Sequence, residues 1–272
     1  MPSPNAISSE KLVRLVGTPA CPALVDVGSE PGECIPGSVR RRAEDVGQWA
    51  AELAGRSAVV VCARGAKLSA GAAAWLRHEG VEAEILEGGV AAWREAGLPL
   101  LAEARLPPRD PGGRTIWVTR ARPKVDRIAC PWLIRRFVDP GAVFLFVAPA
   151  EVAAVGERFG AAPFDVEGVL WSHRGELCTF DVMVEELGLG GFPGLARLAP
   201  IVRGADTARP ELAPQSAGLL AASLGLSRMF ADDLRQLEAG MLLYDSFYRW
   251  CRDAVDETHD WVSHMPKKKG RS

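Results

Sequence analysis

The sequence has no apolar run long enough to cross a membrane. Its longest runs, such as Ala58–Val61 and Val143–Pro149, fall far short of the roughly 20 residues that a membrane helix needs. The start of the chain has neither a basic segment nor an apolar core, so we expect no secretory signal. The formal net charge is −2. No overall positive field therefore draws the chain to nucleic acid or to a membrane surface.

Cysteine is scarce and scattered, with six in 272 residues and no CxxC pair. In a chain of this length the pattern predicts free thiols in a reducing cytosol rather than a disulfide framework, and hence a cytoplasmic location. Hydrophobic residues make up 48% of the chain and charged residues 24%, which is typical of a globular protein and excludes a disordered one.

One segment rich in proline and glycine divides the chain. Three prolines and two glycines fall within residues 107–113 and break both helix and strand. We therefore predict a first domain over residues 5–105, a linker over 106–113 and a second domain over 114–264. The basic tail, 265–272, is expected to be disordered.

The first predicted domain alternates strand and helix patterns. The predicted strands are Leu24–Val27, Ala58–Val61 and Glu84–Leu86, and the predicted helices are Asp45–Leu53, Ser69–His78 and Val90–Ala96. This alternation predicts an α/β domain with a parallel sheet and helices on both faces. Ligands bind beyond the carboxyl ends of strands in such sheets, and Cys62 stands at one of those ends.

The second predicted domain is α+β and mostly helical. Strands are predicted at Thr115–Thr119 and Val143–Val147, and helices at Asp126–Phe137 and Pro149–Phe159, with Pro131 fitting only if the helix restarts there. Asp126 could cap its helix. From Cys178 onward four more helices are expected, at about 178–187, 193–205, 211–224 and 230–260.

The loop after Cys62 has the composition of an anion cradle. It is short, contains Gly65 and leads into a helix, so its backbone N–H groups could all point at the sulfur. Arg64 and Lys67 add two cations. Each feature favours a thiolate, so the pKa of Cys62 should fall below the usual value of about 8.5. The alternative is that Cys62 is a small buried side chain that ends a core strand.

This part of the chain resembles the rhodanese (sulfurtransferase) domain. The resemblance rests on the LxDV strand Leu24–Val27, the loop Cys62–Lys67 and the GGxxxW segment Gly88–Trp93. It implies that Cys62 carries a persulfide formed from a donor such as thiosulfate. It also implies that residues 63–68, including Gly65, Ala66 and Leu68, hold the anion. Lys67 stands where the family commonly has Arg, and Gly28 where it usually has Arg.

The opening of the second domain is strongly basic. From Arg114 to Asp139 there are seven Lys or Arg and two Asp. Arg127, with Arg135 or Arg136, could bind a tetrahedral oxyanion such as phosphate, sulfate or chromate, because planar guanidinium groups pair bidentately with oxyanions. The alternative is that these arginines pair with the acidic helices of residues 205–264, which carry five Arg and ten Asp or Glu.

Four side chains of the second domain are candidate metal ligands, namely His173, Asp181, Asp206 and Asp245. One histidine with several carboxylates suits Fe or Mn better than a structural zinc ion, although Zn stays possible. The alternative is a capping aspartate and a core histidine paired with an arginine. Asp245 lies on an apolar helical stretch, where an unpaired charge is costly.

Residues 114–262 resemble the C-terminal domain of the ChrB-type chromate-resistance proteins. The segments that carry this resemblance are Val125–Asp139, Pro163–Asp165, His173 with Cys178–Asp181, Ile201–Asp206 and Leu243–Asp245. It implies a role in cellular chromate resistance, as a sensor, a regulator or an accessory enzyme.

Three functions follow as hypotheses. The first is a sulfurtransferase whose second domain binds an oxyanion or a metal, the second a chromate-responsive regulator without catalytic activity, and the third a metal-dependent redox enzyme. Nucleic acid is not the expected partner, because the charge is near neutral and no recognition helix is evident.

Overall fold

The computed structural model describes residues 5–28 and 32–257 of the chain. The predicted basic tail lies outside the described residues. Within the described part, no helix combines the length and the hydropathy that a membrane crossing requires.

The described residues of the first region contain seven strands: β1 (Ala6–Ile7), β2 (Ala23–Asp26), β3 (Glu33–Cys34), β4 (Ser38–Arg40), β5 (Ala58–Val61), β6 (Ala83–Leu86) and β7 (Leu101–Ala102). Five of them form a parallel sheet in the order β1-β6-β5-β2-β4, and β3 pairs with β7 in an antiparallel ladder. The central strand β5 pairs with β2 on one side and with β6 on the other. Buried on both faces, it consists of Ala and Val only.

Helices cover both faces of this sheet: α1 (Ser9–Val13), α2 (Val46–Trp49), α3 (Lys67–His78) and α4 (Gly89–Glu95). Val59 and Val61 pack into the same apolar cluster as Trp93 of α4, whereas Val60 and Cys62 pack into the cluster of Leu76 on α3. The alternation follows from the two-residue period of a strand. The predicted parallel α/β architecture is therefore confirmed.

As far as residue 257, the second region has a small parallel sheet and six α-helices. Its strands are β8 (Ile116–Arg120), β9 (Val143–Val147) and β10 (Ala162–Pro163), in the order β10-β8-β9. The helices are α5 (Asp126–Leu133), α6 (Val152–Phe159), α7 (Thr179–Glu186), α8 (Pro193–Asp206), α9 (Ser216–Met229) and α10 (Asp233–Asp253). The predicted mostly helical α+β region is confirmed.

Helix α5 differs from the prediction at Pro131. The helix does not restart there; it runs through the proline and continues into a π-helical turn, Ile134–Val138. Pro131 lacks one N–H and gives up one intrahelical bond. The surrounding residues, among them Trp132 and Leu133, are fully buried, and this packing offsets the lost bond.

The two regions share one apolar core. A single cluster contains Leu12 and Ile35 from the first region together with Phe137 and Tyr248 from the second. The N–H of Gly37 also donates to the carbonyl of Phe137 at 2.6 Å. The two regions are thus packed directly against each other, and the predicted domain boundaries stay a prediction.

Candidate functional site

Cys62 lies at the carboxyl end of the central strand β5, where the chain turns into α3. The residue is only 6% exposed, whereas Ala63, Arg64, Ala66 and Lys67 of the loop that follows it are exposed. The sulfur therefore sits at the base of a loop whose outer residues face solvent.

Two donor groups surround the sulfur. The N–H of Ala66 donates to Sγ at 3.4 Å, and the hydroxyl of Ser69, on the first turn of α3, lies 3.2 Å from Sγ. The Ser69 hydroxyl also reaches the carbonyl of Ala66 at 3.0 Å. Since a hydroxyl has a single proton, Ser69 can donate to the carbonyl beside a thiol and turn to the sulfur beside a thiolate.

The balance of these contacts favours the thiolate. Burial raises the pKa of Cys62, but hydrogen bonds from the Ser69 hydroxyl and from the backbone at Ala66, Ser69 and Arg64 outweigh it, so the pKa is lowered. Burial raises the pKa of each other cysteine: to about 11 for Cys21, Cys34 and Cys251, and further for Cys130 and Cys178. All six cysteines lie within the described residues, and Cys62 alone shifts downward.

The GGxxxW segment holds the Cys62 loop in place. The N–H of Val90 donates to the carbonyl of Cys62 at 3.1 Å, and the N–H of Ala91 donates to that of Ala63 at 3.0 Å. This approach requires glycine: Gly89 has φ +62°, and a Cβ there would lie 2.1 Å from the Cys62 carbonyl oxygen. The motif thus sets the backbone that surrounds the sulfur.

The three arginines predicted to bind an oxyanion do not form one patch. Arg127 pairs with Asp165 at 3.2 Å and donates to the carbonyl of Ala121 at 3.0 Å. Both others pair with α10. Arg135 lies 2.5 Å from Glu238, and Arg136 makes a bidentate pair with Asp245, at 2.8 and 2.6 Å. These last two pairs match the alternative that the basic segment neutralises the acidic C-terminal helices.

Arg135 and Arg136 nevertheless share a cavity of about 300 Å³ between the two regions. Its charged lining residues are Arg41, Glu52, Arg56, Arg114, Arg135, Arg136 and Asp139. Arg41, Arg114, Arg135 and Arg136 already pair with Glu52, Asp110, Glu238 and Asp245. Among the described residues, Arg56 is the one arginine of this lining without an ion pair. Arg127 is not part of its lining.

Of the four predicted metal ligands, the structure brings two together. His173 Nε2 lies 3.1 Å from Asp206 Oδ2. Two further carboxylates, which the sequence analysis missed, face the same nitrogen: Asp126 Oδ2 at 3.7 Å and Asp165 Oδ1 at 3.5 Å. Ligand atoms of Asp126, His173 and Asp206 all lie within 4.8 Å of one another.

Asp181 and Asp245 lie elsewhere, which corrects the predicted ligand set. Asp181 accepts the N–H of Cys178 at 3.1 Å, so it caps the start of α7, and it lies 3.7 Å from Arg203. Asp245 accepts the indole N–H of Trp132 at 2.8 Å in addition to the Arg136 pair. Their charges are already compensated by these partners.

Asp126 was expected to cap its helix, but it does not. It is the first residue of α5, and its side chain is fully buried. Burial and the nearby charges of Asp206 and Asp165 raise its pKa well above the usual range. Burial and the charge of Asp165 likewise raise the pKa of Asp206. Asp126 and Asp165 both lie in segments that carried the ChrB resemblance. That resemblance was the signal in the sequence that could have identified them as members of this site.

The solved structures similar to this chain match its first part. A rhodanese-related protein from Thermoplasma volcanium is 24% identical, with a TM-score of 0.30, over 36% of this chain and 97% of its own. A protein from Lactobacillus plantarum is 24% identical, with a TM-score of 0.31, over 35% of this chain and 87% of its own.

The second part matches a protein family by sequence. Residues 117–251 match the family model described as ChrB, C-terminal domain. The curated protein ChrB of Cupriavidus metallidurans is 36% identical over 156 residues, which make up 56% of this chain. The chain spans only about half of that relative, 46% of its length. Residues 117–251, just under half of the chain, are thus similar to the C-terminal domain of ChrB.

Proposed function

We propose that the protein transfers sulfane sulfur through a persulfide on Cys62, in the service of chromate resistance. One observation carries the proposal: of the six cysteines, Cys62 alone has a lowered pKa, and it lies at the base of an exposed loop at a strand end. A thiolate is the reactive form of cysteine, so this residue is the nucleophile that the chain offers.

The chemistry uses a donor such as thiosulfate. The Cys62 thiolate attacks the outer sulfur of thiosulfate, a new S–S bond forms, and sulfite leaves with the electron pair of the broken bond. An acceptor thiolate or cyanide then attacks the terminal sulfur, and Cys62 departs as a thiolate. The Ala66 N–H and the Ser69 hydroxyl stabilise the negative charge at both stages. Arg64 and Lys67 attract the anionic donor.

Thiosulfate:cyanide sulfurtransferase activity of the full chain tests this proposal. Cys62→Ser should abolish thiocyanate formation. Cys21→Ser is the matched control, because the pKa of Cys21 is raised to about 11 and its thiol should stay unreactive. Transfer that survives Cys62→Ser, or a wild-type protein without transfer, would refute the assignment.

Oxyanion binding in the arginine-lined cavity is a second candidate function. It is favoured by Arg56, which lines this cavity without an ion pair among the described residues, and chromate is the oxyanion that the ChrB family resemblance implies. Arg56→Gln should weaken chromate binding measured by calorimetry, whereas Arg158→Gln, on α6 and outside the cavity lining, should not. Equal binding by both variants would locate chromate elsewhere.

These two assays together also test whether the protein is a regulator instead of a sulfurtransferase. A chromate-responsive regulator without catalytic activity would bind chromate and form no thiocyanate.

A further inference from the structure

Three separate elements bring acidic and imidazole groups to one place in the second region. Asp126 begins α5, Asp206 is the last residue of α8, and His173 precedes α7. The N–H of Asp126 also faces Asp206 Oδ1 at 3.4 Å, across 80 residues of sequence. The arrangement is therefore a product of the tertiary fold rather than of one helix face.

The negative charge in this cluster is only partly compensated. Asp165 pairs with Arg120 and with Arg127, each at 3.2 Å. Within the described residues, His173 is the only basic side chain within 4 Å of Asp126 or Asp206. Two carboxylates thus share a single imidazole.

The side chain of Asp126 is independent evidence for a ligand at this cluster. Its side chain is fully buried, and Oδ2 accepts the N–H of Phe180 at 3.3 Å while facing His173 Nε2. Its other oxygen, Oδ1, is buried without any hydrogen-bond partner among the described residues. A buried carboxylate oxygen left without a partner is costly, and a bound cation is one way to satisfy it.

We propose that Asp126, His173 and Asp206 bind one divalent metal ion. Ligands set at right angles about 2.1 Å from an ion are about 3 Å apart, close to the 3.1 Å between His173 Nε2 and Asp206 Oδ2. The separation of up to 4.8 Å among the three ligand atoms needs only a small inward shift. Asp165 is held by two arginines, and its Oδ1 lies 3.5 Å from the same nitrogen of His173, beside the proposed ion.

The chemistry of the ligands and their access to solvent define the class of ion. One imidazole nitrogen and carboxylate oxygens suit Mn²⁺ or Fe²⁺, with Zn²⁺ as a competitor. The His173 side chain is 42% exposed and Asp206 is 19% exposed, so the ion can enter from solvent past the imidazole. Three protein ligands leave coordination positions open toward that side for water or a substrate oxygen.

Manganese binding to the full chain, stripped of metal with EDTA, tests the proposal. Calorimetric titration with MnCl₂ should give one ion per chain. Asp206→Asn and His173→Gln should each weaken binding at least about tenfold. Glu176→Gln is the matched control, because its exposed carboxylate pairs with Arg209 and should leave binding unchanged. Cys62→Ser should also bind Mn²⁺ like the wild type, so this site is tested separately from sulfur transfer.

Circular dichroism and thermal unfolding show whether each metal-free variant is folded, so a loss of binding can be told from a loss of structure. Asp206→Asn removes one of several close negative charges and should fold as well as the wild type, while losing the rise in unfolding temperature that Mn²⁺ gives. Asp126→Asn should behave in the same way. If the wild type binds no Mn²⁺, Fe²⁺ or Zn²⁺, or if folded Asp206→Asn binds as tightly as the wild type, a shared proton satisfies the carboxylates and the proposal is overturned.

Discussion

The Cys62 loop and the Asp126–His173–Asp206 cluster treat negative charge in opposite ways. The loop surrounds one sulfur with a hydroxyl and backbone N–H groups, and the pKa of Cys62 falls. The cluster gathers carboxylates around one imidazole, and the pKa values of Asp126 and Asp206 rise. The first site is complete for an anion without any ligand. The second site has an excess of negative charge that a cation would balance.

The largest expected effect concerns the backbone of the loop. Gly89→Ala should lower the free energy of unfolding by about 3 kcal/mol or more, because it places a Cβ at positive φ against the Cys62 carbonyl. Urea unfolding measures it. Gly71→Ala on α3 is the control: a Cβ there meets open space, and the change should stabilise by about 0.5–1 kcal/mol. Equal effects of the two variants would mean that the glycine turn does not hold the loop.

Removing one negative charge from the Asp126–His173–Asp206 cluster should stabilise the protein rather than destabilise it. Asp206→Asn should raise the unfolding free energy of the metal-free protein at pH 8. Burial and the charge of Asp165 disfavour the charged form of this carboxylate in the native fold, and the amide removes that charge. Glu176→Gln should leave stability nearly unchanged. A clear loss of stability in Asp206→Asn would show that the carboxylate is already well compensated.

The hydroxyl of Ser69 should control the reactivity of Cys62. Ser69→Ala removes a donor to the thiolate, so the pH at which alkylation of Cys62 is half-maximal should rise by about one unit. Peptide mass spectrometry after iodoacetamide pulses measures this. Ser69→Thr keeps the hydroxyl and should restore most of the reactivity near neutral pH. An unchanged midpoint in Ser69→Ala would place the stabilisation in the backbone alone.

The smallest effect is expected at the exposed cation of the loop. Lys67→Ala should raise the KM for thiosulfate by about twofold at low salt, because an exposed charge is screened by solvent. The alkylation midpoint of Cys62 should stay the same. A large shift of that midpoint would return Lys67 to the role that the sequence first predicted, as a main cause of the lowered pKa.

The loop could be predicted from the sequence because its parts are local. Cys62, Gly65, Ala66 and Ser69 span eight residues, so a strand end and a helix start bring them together whatever the rest of the chain does. The role of Gly89 was also within reach, since the GGxxxW motif accompanies the loop. The hydrogen-bond role of Ser69 needed coordinates.

The cluster could not be assembled from the sequence, because its residues come from separate elements. Helical spacing showed which side chains share a face but not what that face meets, so Asp181 was assigned to a metal and caps its own helix. The charge sums gave pairing of the basic and acidic segments only as the alternative to oxyanion binding. They did not predict that Arg127 would turn to Asp165 while Arg136 turned to Asp245.

The central claim is that the hydrogen bonds around Cys62 lower the pKa of its thiol, and its rate of alkylation against pH tests this most directly. A thiol is unreactive below its pKa, so a lowered pKa moves the midpoint of the profile to lower pH. We predict a midpoint for Cys62 below the usual value of about 8.5, with the other five cysteines unlabelled over the same range. A midpoint at or above that value, or a Cys62 that resists labelling in the folded protein, would contradict the account.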